Sequence, residues 1–191
     1  MKLGLRAFLA LDITEEQLIS SLKDVQQEIL ATGADVKVVE PENLHFTLKF
    51  FGEIPETMAE QIYTSIANLT LSPIQVRFEG LGCFPNLSRI SVIWAGADPE
   101  ASKIMTNLAS DVEGRLKKFG FHNERGFSPH LTIARVRTGI NKEKLQELIN
   151  VYQGHLFGKD VLTSLKMKKS QLTPQGPIYS DVYEVKFRGE P

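Results

Sequence analysis

Apolar residues recur along this chain with two periods, and the switches between them predict its elements. Residues 2–12 read as a first strand, rich in Leu and Phe. Thr14-Glu15-Glu16-Gln17 then matches a capping box, with Ile13 and Leu18 placed as its hydrophobic staple. Leu18, Leu22, Val25 and Ile29 follow at helical spacing, and Gly33 is suited to end that helix. Val36–Val39 reads as a short strand, and Glu40-Pro41 forces extended backbone before a strand over 43–51 that ends at Gly52. Pro55 suits the first turn of a second helix with Met58, Ile62, Ile66 and Leu69 inward. Residues 74–78 form the next strand, 80–86 a glycine-bearing strand end and turn, and 89–95 a strand with Ile90, Val92 and Trp94 on one face. Asp98 and Pro99 open a third helix with the stripe Ile104, Leu108, Val112 and Leu116. After a polar loop over 121–128 comes another strand, then a fourth helix capped by Asn141 with Leu145, Leu148, Ile149 and Tyr152 inward. Strands at 158–172 and 178–188, joined by a Pro/Gly turn, finish the chain.

Strands and helices therefore mix without the regular alternation of a doubly wound sheet. The expected class is α+β: antiparallel sheets with helices on their outer faces. No low-complexity or linker-like stretch interrupts residues 1–191, so a single folding unit is expected.

Two of these strands repeat one pattern. Asn43-Leu44-His45-Phe46-Thr47-Leu48 and Pro129-His130-Leu131-Thr132-Ile133 each carry His-x-Thr between apolar residues. Successive strand side chains point to opposite faces, so His45 shares a face with Thr47, and His130 with Thr132, while the apolar residues face a core. One such motif means little, because a lone strand histidine is more often structural. Two copies in the same phase, 130 − 45 = 85 residues apart, suggest two similar lobes that each give one motif to a shared cleft. Two imidazoles and two hydroxyls suit acid–base chemistry on a phosphate. Histidine titrates near neutrality and can give or take a proton, and threonine hydroxyls can donate to phosphate oxygens where charge builds.

The remaining composition narrows the field. Of 191 residues, 42% are hydrophobic and 24% charged, which is ordinary for a protein with a real core. The net charge of −1 advertises no long nucleic-acid partner and leaves room for a short RNA end at a local basic cleft. The single cysteine, Cys83, permits no intramolecular disulfide and no cysteine zinc cluster, and fits a reducing cytoplasm. Arg6 interrupts the apolar start, which reads as a strand rather than a signal peptide. No apolar run approaches membrane-spanning length. His122 and His155 sit in loop-like settings and read as bystanders, and Lys166, Lys168 and Lys169 as a solvated strand edge.

The paired motifs, together with Arg6-Ala7-Phe8-Leu9-Ala10-Leu11, Gly82-Cys83-Phe84-Pro85 and Phe127-Ser128-Pro129, resemble the 2H phosphoesterase superfamily over nearly the whole chain. Within it the sequence is similar to the RNA 2′,3′-cyclic phosphodiesterases, also called 2′-5′ RNA ligases. That resemblance implies a bilobal α+β fold and no metal or other cofactor. It also implies hydrolysis of RNA 3′ ends or nucleotides bearing a 2′,3′-cyclic phosphate to a 2′-phosphate. By resemblance His45 is the proton donor to the leaving oxygen and His130 the acceptor from water, while Thr47, Thr132, Phe50 and Arg135 contact substrate. Strand parity alone puts Phe50 and Arg135, each five residues past its histidine, on the face away from the cleft, and only a bulge or strand end would return them. A monomer is expected. The competing readings are a ligase or 2′-5′ phosphodiesterase, which shares both motifs, and a non-catalytic RNA-binding protein, which would tolerate loss of either histidine.

Overall fold

The computed structural model describes residues 4–121, 126–174 and 176–189. Nine strands and four helices occur among them. In chain order they are β1 Leu5–Asp12, α1 Glu16–Ala31, β2 Val36–Val38, β3 His45–Ile54, α2 Glu56–Ile66, β4 Ile74–Asn86, β5 Arg89–Ala97, α3 Pro99–Leu116, β6 Leu131–Val136, α4 Lys142–Val151, β7 Leu156–Leu162, β8 Ser164–Thr173 and β9 Gly176–Lys186. The strands form two antiparallel sheets, ordered β3-β1-β8-β9 and β2-β6-β5-β4-β7. The α+β expectation holds, with one His-x-Thr motif on each sheet. Each sheet nevertheless draws on both halves of the chain, since β1 and β3 pair into the same sheet as β8 and β9.

Helices α1 and α4 pack on the second sheet, α3 packs on β4 and on α2, and α2 reaches β1. One hydrophobic core runs through both sheets. Phe46 of β3 stacks on Phe78 of β4 with centroids 5.6 Å apart, joining the apolar backs of the two sheets. That contact uses the apolar phase of the first motif, as Leu44, Phe46 and Leu48 are all buried.

Several boundaries differ from the sequence expectation, each for a local reason. The capping box does not form: Glu15 is the N-cap, and the Thr14 and Glu15 amides donate instead to the Asp160 carboxylate of β7, at 2.7 and 3.1 Å. A carboxylate from a distant strand thus takes the place of the local hydroxyl at the positive end of α1. Residues 158–172 are not one strand, because the chain changes sheets at Thr163, between β7 and β8. Conversely, β4 runs on through the glycines to Asn86, with register shifts after Glu79 and after Phe84. The shift after Phe84 leaves Ser91 of β5 without a partner and reverses the phase beyond it. Ile93 is therefore buried beside Ile90 in the core, contrary to simple alternation. In α3 the inward stripe is Ala101, Met105, Leu108 and Val112, leaving Ile104 exposed. Asn141 adopts a left-handed backbone and makes no cap hydrogen bond; its amide Nδ2 donates to the Gly33 carbonyl at 2.9 Å.

Candidate active site

The cleft lies between the two sheets, with a volume of about 840 Å³. His45, Thr47, Phe50, His130, Thr132 and Arg135 all line it. Strand alternation accounts for four of them. The other two come from a pair of matched irregularities.

In β3, Ala10 of β1 faces Thr47 while Leu9 faces Lys49, so Leu48 is passed over by the register. Leu48 and Lys49 are both buried, and Phe50 swings back to the face of His45 and Thr47. In β6, Trp94 of β5 faces Thr132 while Ile93 faces Ala134, so Ile133 is passed over. Ile133 and Ala134 are both buried, and Arg135 rejoins the face of Thr132. Both bulges fall three residues past their histidine: 48 − 45 = 3 and 133 − 130 = 3. The parity objection to Phe50 and Arg135 is thereby removed in the same way on both walls.

The two imidazoles are held alike. A 3-10 turn over Pro41–Asn43 precedes β3 and brings the Asn43 carbonyl 2.7 Å from His45 Nδ1. The Ser128 carbonyl lies 2.7 Å from His130 Nδ1. A carbonyl only accepts, so each Nδ1 carries the hydrogen and each Nε2 is left as the nitrogen that can exchange a proton. Thr47 Oγ1 stands 3.0 Å from His45 Nε2, and its hydroxyl donates to that nitrogen when the ring is neutral. Aromatic rings brace both: Phe8 lies 5.1 Å and Tyr179 5.5 Å from the His45 ring, and the edge-on Phe84 ring lies 4.8 Å from His130. Burial pushes the His45 pKa below its ordinary value, and nearby Lys168 and Arg135 act in the same direction. The Asn43 carbonyl and the Asp12 carboxylate oppose them without prevailing.

Two groups of functional relevance escaped the sequence reading. Gln26 of α1 is buried, and its Nε2 donates to the carbonyls of Val39 at 2.8 Å and Ile133 at 2.9 Å. The Ile133 carbonyl belongs to the bulged residue, so Gln26 pins the irregularity that turns Arg135 inward. A signal existed: Gln26 stands four residues after Leu22 on the buried stripe, a polar side chain where an apolar one is expected. The second group corrects the reading of the lysines. Lys168 is buried rather than a solvated edge, and only Lys169 is exposed. Lys168 Nζ lies 2.9 Å from Asp12 and 2.7 Å from Asp181, and Lys166 Nζ lies 3.1 and 2.8 Å from the same carboxylates. This compensated cluster of two ammoniums and two carboxylates abuts the His45 wall, since Asp12 is the cross-strand partner of His45. His155 stays outside the cleft, against Tyr152 and Phe157. His122 lies outside the described residues.

Known proteins resemble this chain over nearly its whole length. Residues 7–187 match the family model described as the AKAP7 2'5' RNA ligase-like domain. The chain is 38% identical over 179 residues to an RNA 2′,3′-cyclic phosphodiesterase of Methanothermobacter thermautotrophicus, covering 93% of this chain and 96% of that one. It is 35% identical over 178 residues to a protein of the same name from Archaeoglobus fulgidus, covering 93% and 98%. Its fold is similar to the crystal structure of TT0787 of Thermus thermophilus, with a TM-score of 0.79, 25% identity and coverage of 97% and 100%. It is also similar to E. coli LigT in apo form, with a TM-score of 0.76, 17% identity and coverage of 98% and 99%, a likeness of fold alone. With a family match from the first strand to the last and relatives of this identity along nearly their full lengths, the chain belongs to the 2'5' RNA ligase-like family of phosphoesterases.

Proposed function

We propose that this protein hydrolyses the terminal 2′,3′-cyclic phosphate of RNA to a 2′-phosphomonoester, with His45 and His130 as its acid and base. One observation carries the reading: two imidazoles on opposite walls of one cleft, each tethered through Nδ1 to a carbonyl and presenting Nε2. In-line opening of the ring needs a proton taken from water on one side of phosphorus and one delivered to the departing 3′ oxygen on the other. His130 takes the first and His45 delivers the second. Water's hydroxyl ends on phosphorus and its proton equivalent on the ribose. Thr47 and Thr132, two residues past each histidine on the same strand face, donate to the non-bridging oxygens. Arg135 supplies positive charge beside them, and Phe50 offers a face for the base. The relatives' shared name, RNA 2′,3′-cyclic phosphodiesterase, supports the substrate.

The chemistry as written needs no metal. Among the described residues, no three His, Cys, Asp or Glu side chains are grouped to hold one. The deciding experiment incubates purified protein with an oligonucleotide ending in 2′,3′-cyclic phosphate, with and without EDTA, and maps the product. A 2′-phosphate formed equally in both is expected. A 3′-phosphate would reverse the leaving group, and loss on chelation with recovery on adding a divalent ion would reject the mechanism.

The grip residues make a separate expectation. Base stacking on an aromatic ring is worth about 1–3 kcal/mol, so Phe50→Ala is expected to raise KM by roughly tenfold. Arg135→Ala, which removes charge-assisted hydrogen bonds worth about 1.5–3 kcal/mol, should lower kcat/KM by roughly 10- to 100-fold. Steady-state kinetics with neither parameter altered would remove both residues from the site.

The reading takes the protein as a cytoplasmic monomer. A cleft whose two walls come from one chain supports the monomer, and the single cysteine, Cys83, supports a reducing cytoplasm. Light scattering of the active protein tests the oligomeric state.

A further inference from the structure

We propose that Arg6 and Phe50 together form a second anion subsite, which receives the phosphodiester one nucleotide upstream of the reacting end. The inference rests on the cyclic-phosphate reading above and adds the length of RNA that the cleft is built to hold.

Among the described residues two guanidiniums line the cleft, and neither is in an ion pair with another of them. Arg135 follows His130 on one wall and serves the reacting phosphate. Arg6 lies elsewhere, on β1 of the opposite wall. In the register of β1 against β3, Asp12 faces His45 and Phe8 faces Phe50. Four strand steps of about 3.3 Å separate those pairs, so the backbone at Phe50 lies roughly 13 Å from that at His45. The Arg6 guanidinium sits over the Phe50 ring, 4.8 Å from its centroid. A phosphate held between the two Nε2 atoms is served by His45, His130 and Arg135, and a lone cyclic nucleotide carries no other. An RNA end of two residues does, at its internucleotide linkage.

The local chemistry fits an anion. Phe50 is 48% exposed, although it faces the cleft and could have packed inward. The ring holds the guanidinium in place over its face, and a guanidinium so held can grip a phosphate by two parallel N–H bonds. The stack also orders a long side chain before the ligand arrives, which lessens the entropy lost on binding. Phe50 keeps its second face for a base, so one ring can hold Arg6 and a nucleoside together. The bulge at Leu48 creates this place, because without it Phe50 would point into the core.

The test compares uridine 2′,3′-cyclic phosphate with the dinucleotide ApU ending in 2′,3′-cyclic phosphate. In the wild type the dinucleotide should have the lower KM. Arg6→Ala should raise the dinucleotide KM about tenfold more than the mononucleotide KM, the scale of one charge-assisted contact. In parallel, calorimetric Kd values are measured across a salt series for the two products, uridine 2′-phosphate and ApU 2′-phosphate. Loss of one phosphate contact to a single strand should flatten the slope of log Kd against log salt by about 0.7 for the dinucleotide. Arg6→Lys, which keeps the charge, should restore that slope. Equal losses on both substrates would place Arg6 at the terminal nucleotide and overturn the proposal. So would no loss on either, an unchanged salt slope, or a wild type indifferent to the added nucleotide. If the wild type turned over neither cyclic phosphate, the hydrolytic reading would fall, and the Kd series alone would still decide for or against the subsite.

Discussion

His45→Ala and His130→Ala are each expected to lower cyclic-phosphate hydrolysis by ~10²–10⁴-fold, the usual cost of losing a positioned general acid or base. The double variant should fall little further than the worse single one, because the two groups act in one step and their losses are not additive. The fold should survive His130→Ala, whose ring lies at the cleft face against the Phe84 ring and the neighbouring Ser128 carbonyl. His45 is more enclosed, touching Phe8 and Tyr179, so His45→Gln is the better control there, keeping most of the volume without a titrating group. Single-turnover rates on a cyclic-phosphate oligonucleotide, with thermal melts of each variant, check both points. Turnover within a few-fold of wild type in either folded single variant would end the two-histidine mechanism. Loss of turnover with substrate affinity intact would set aside the RNA-binding alternative, which predicts no dependence of any reaction on these rings.

The second large effect is on pH. As donor, His45 must be protonated, and burial holds its pKa below the ordinary value of about 6.5. The fraction able to donate therefore declines as pH rises through a value on the acid side of 6.5. In kcat/KM, which reports the free enzyme, the alkaline limb should begin there, and the optimum should lie on the acid side of neutrality. Bound cyclic phosphate places a negative charge beside the imidazolium and favours the protonated form, so the limb in kcat should lie at higher pH than the limb in kcat/KM. Arg135 adds to the depression of His45, so Arg135→Ala should move the kcat/KM limb upward while lowering the rate. The same shift has a stability consequence. The unfolded chain takes up the His45 proton at higher pH than the folded one, so the fold should lose stability as pH falls below about 6.5. Profiles from pH 4 to 10 on a non-titrating substrate test the rate, with each limb read as a property of the coupled site. A rate that climbs throughout would remove His45 as general acid.

The paired histidines of the cleft were legible in the amino-acid order because strand parity is a local rule. Two residues apart on an extended chain means the same face, so His45 with Thr47 and His130 with Thr132 followed from spacing, and the apolar phase of Leu44, Phe46 and Leu131 named the opposite face. The helical stripes of α1 and α4 were visible for the same reason, through a period of 3.6. What parity could not decide was where it breaks. Phe50 and Arg135 reach the cleft only because Leu48 and Ile133 are bulged, and a bulge is set by the partner strand's register rather than by the residues that bulge. The second of these is held by Gln26, 107 residues away, whose amide satisfies the Ile133 carbonyl. Lys168 looked like a solvated edge because its neutralising partners, Asp12 and Asp181, lie on two other strands. The Asp160 carboxylate displaced the Thr14 cap in the same way, from β7. Local spacing thus picked out the histidines and threonines that share the cleft face, whereas long-range pairing of strands, which alone brings distant charges and carbonyls within hydrogen-bond reach, decided how they are aimed.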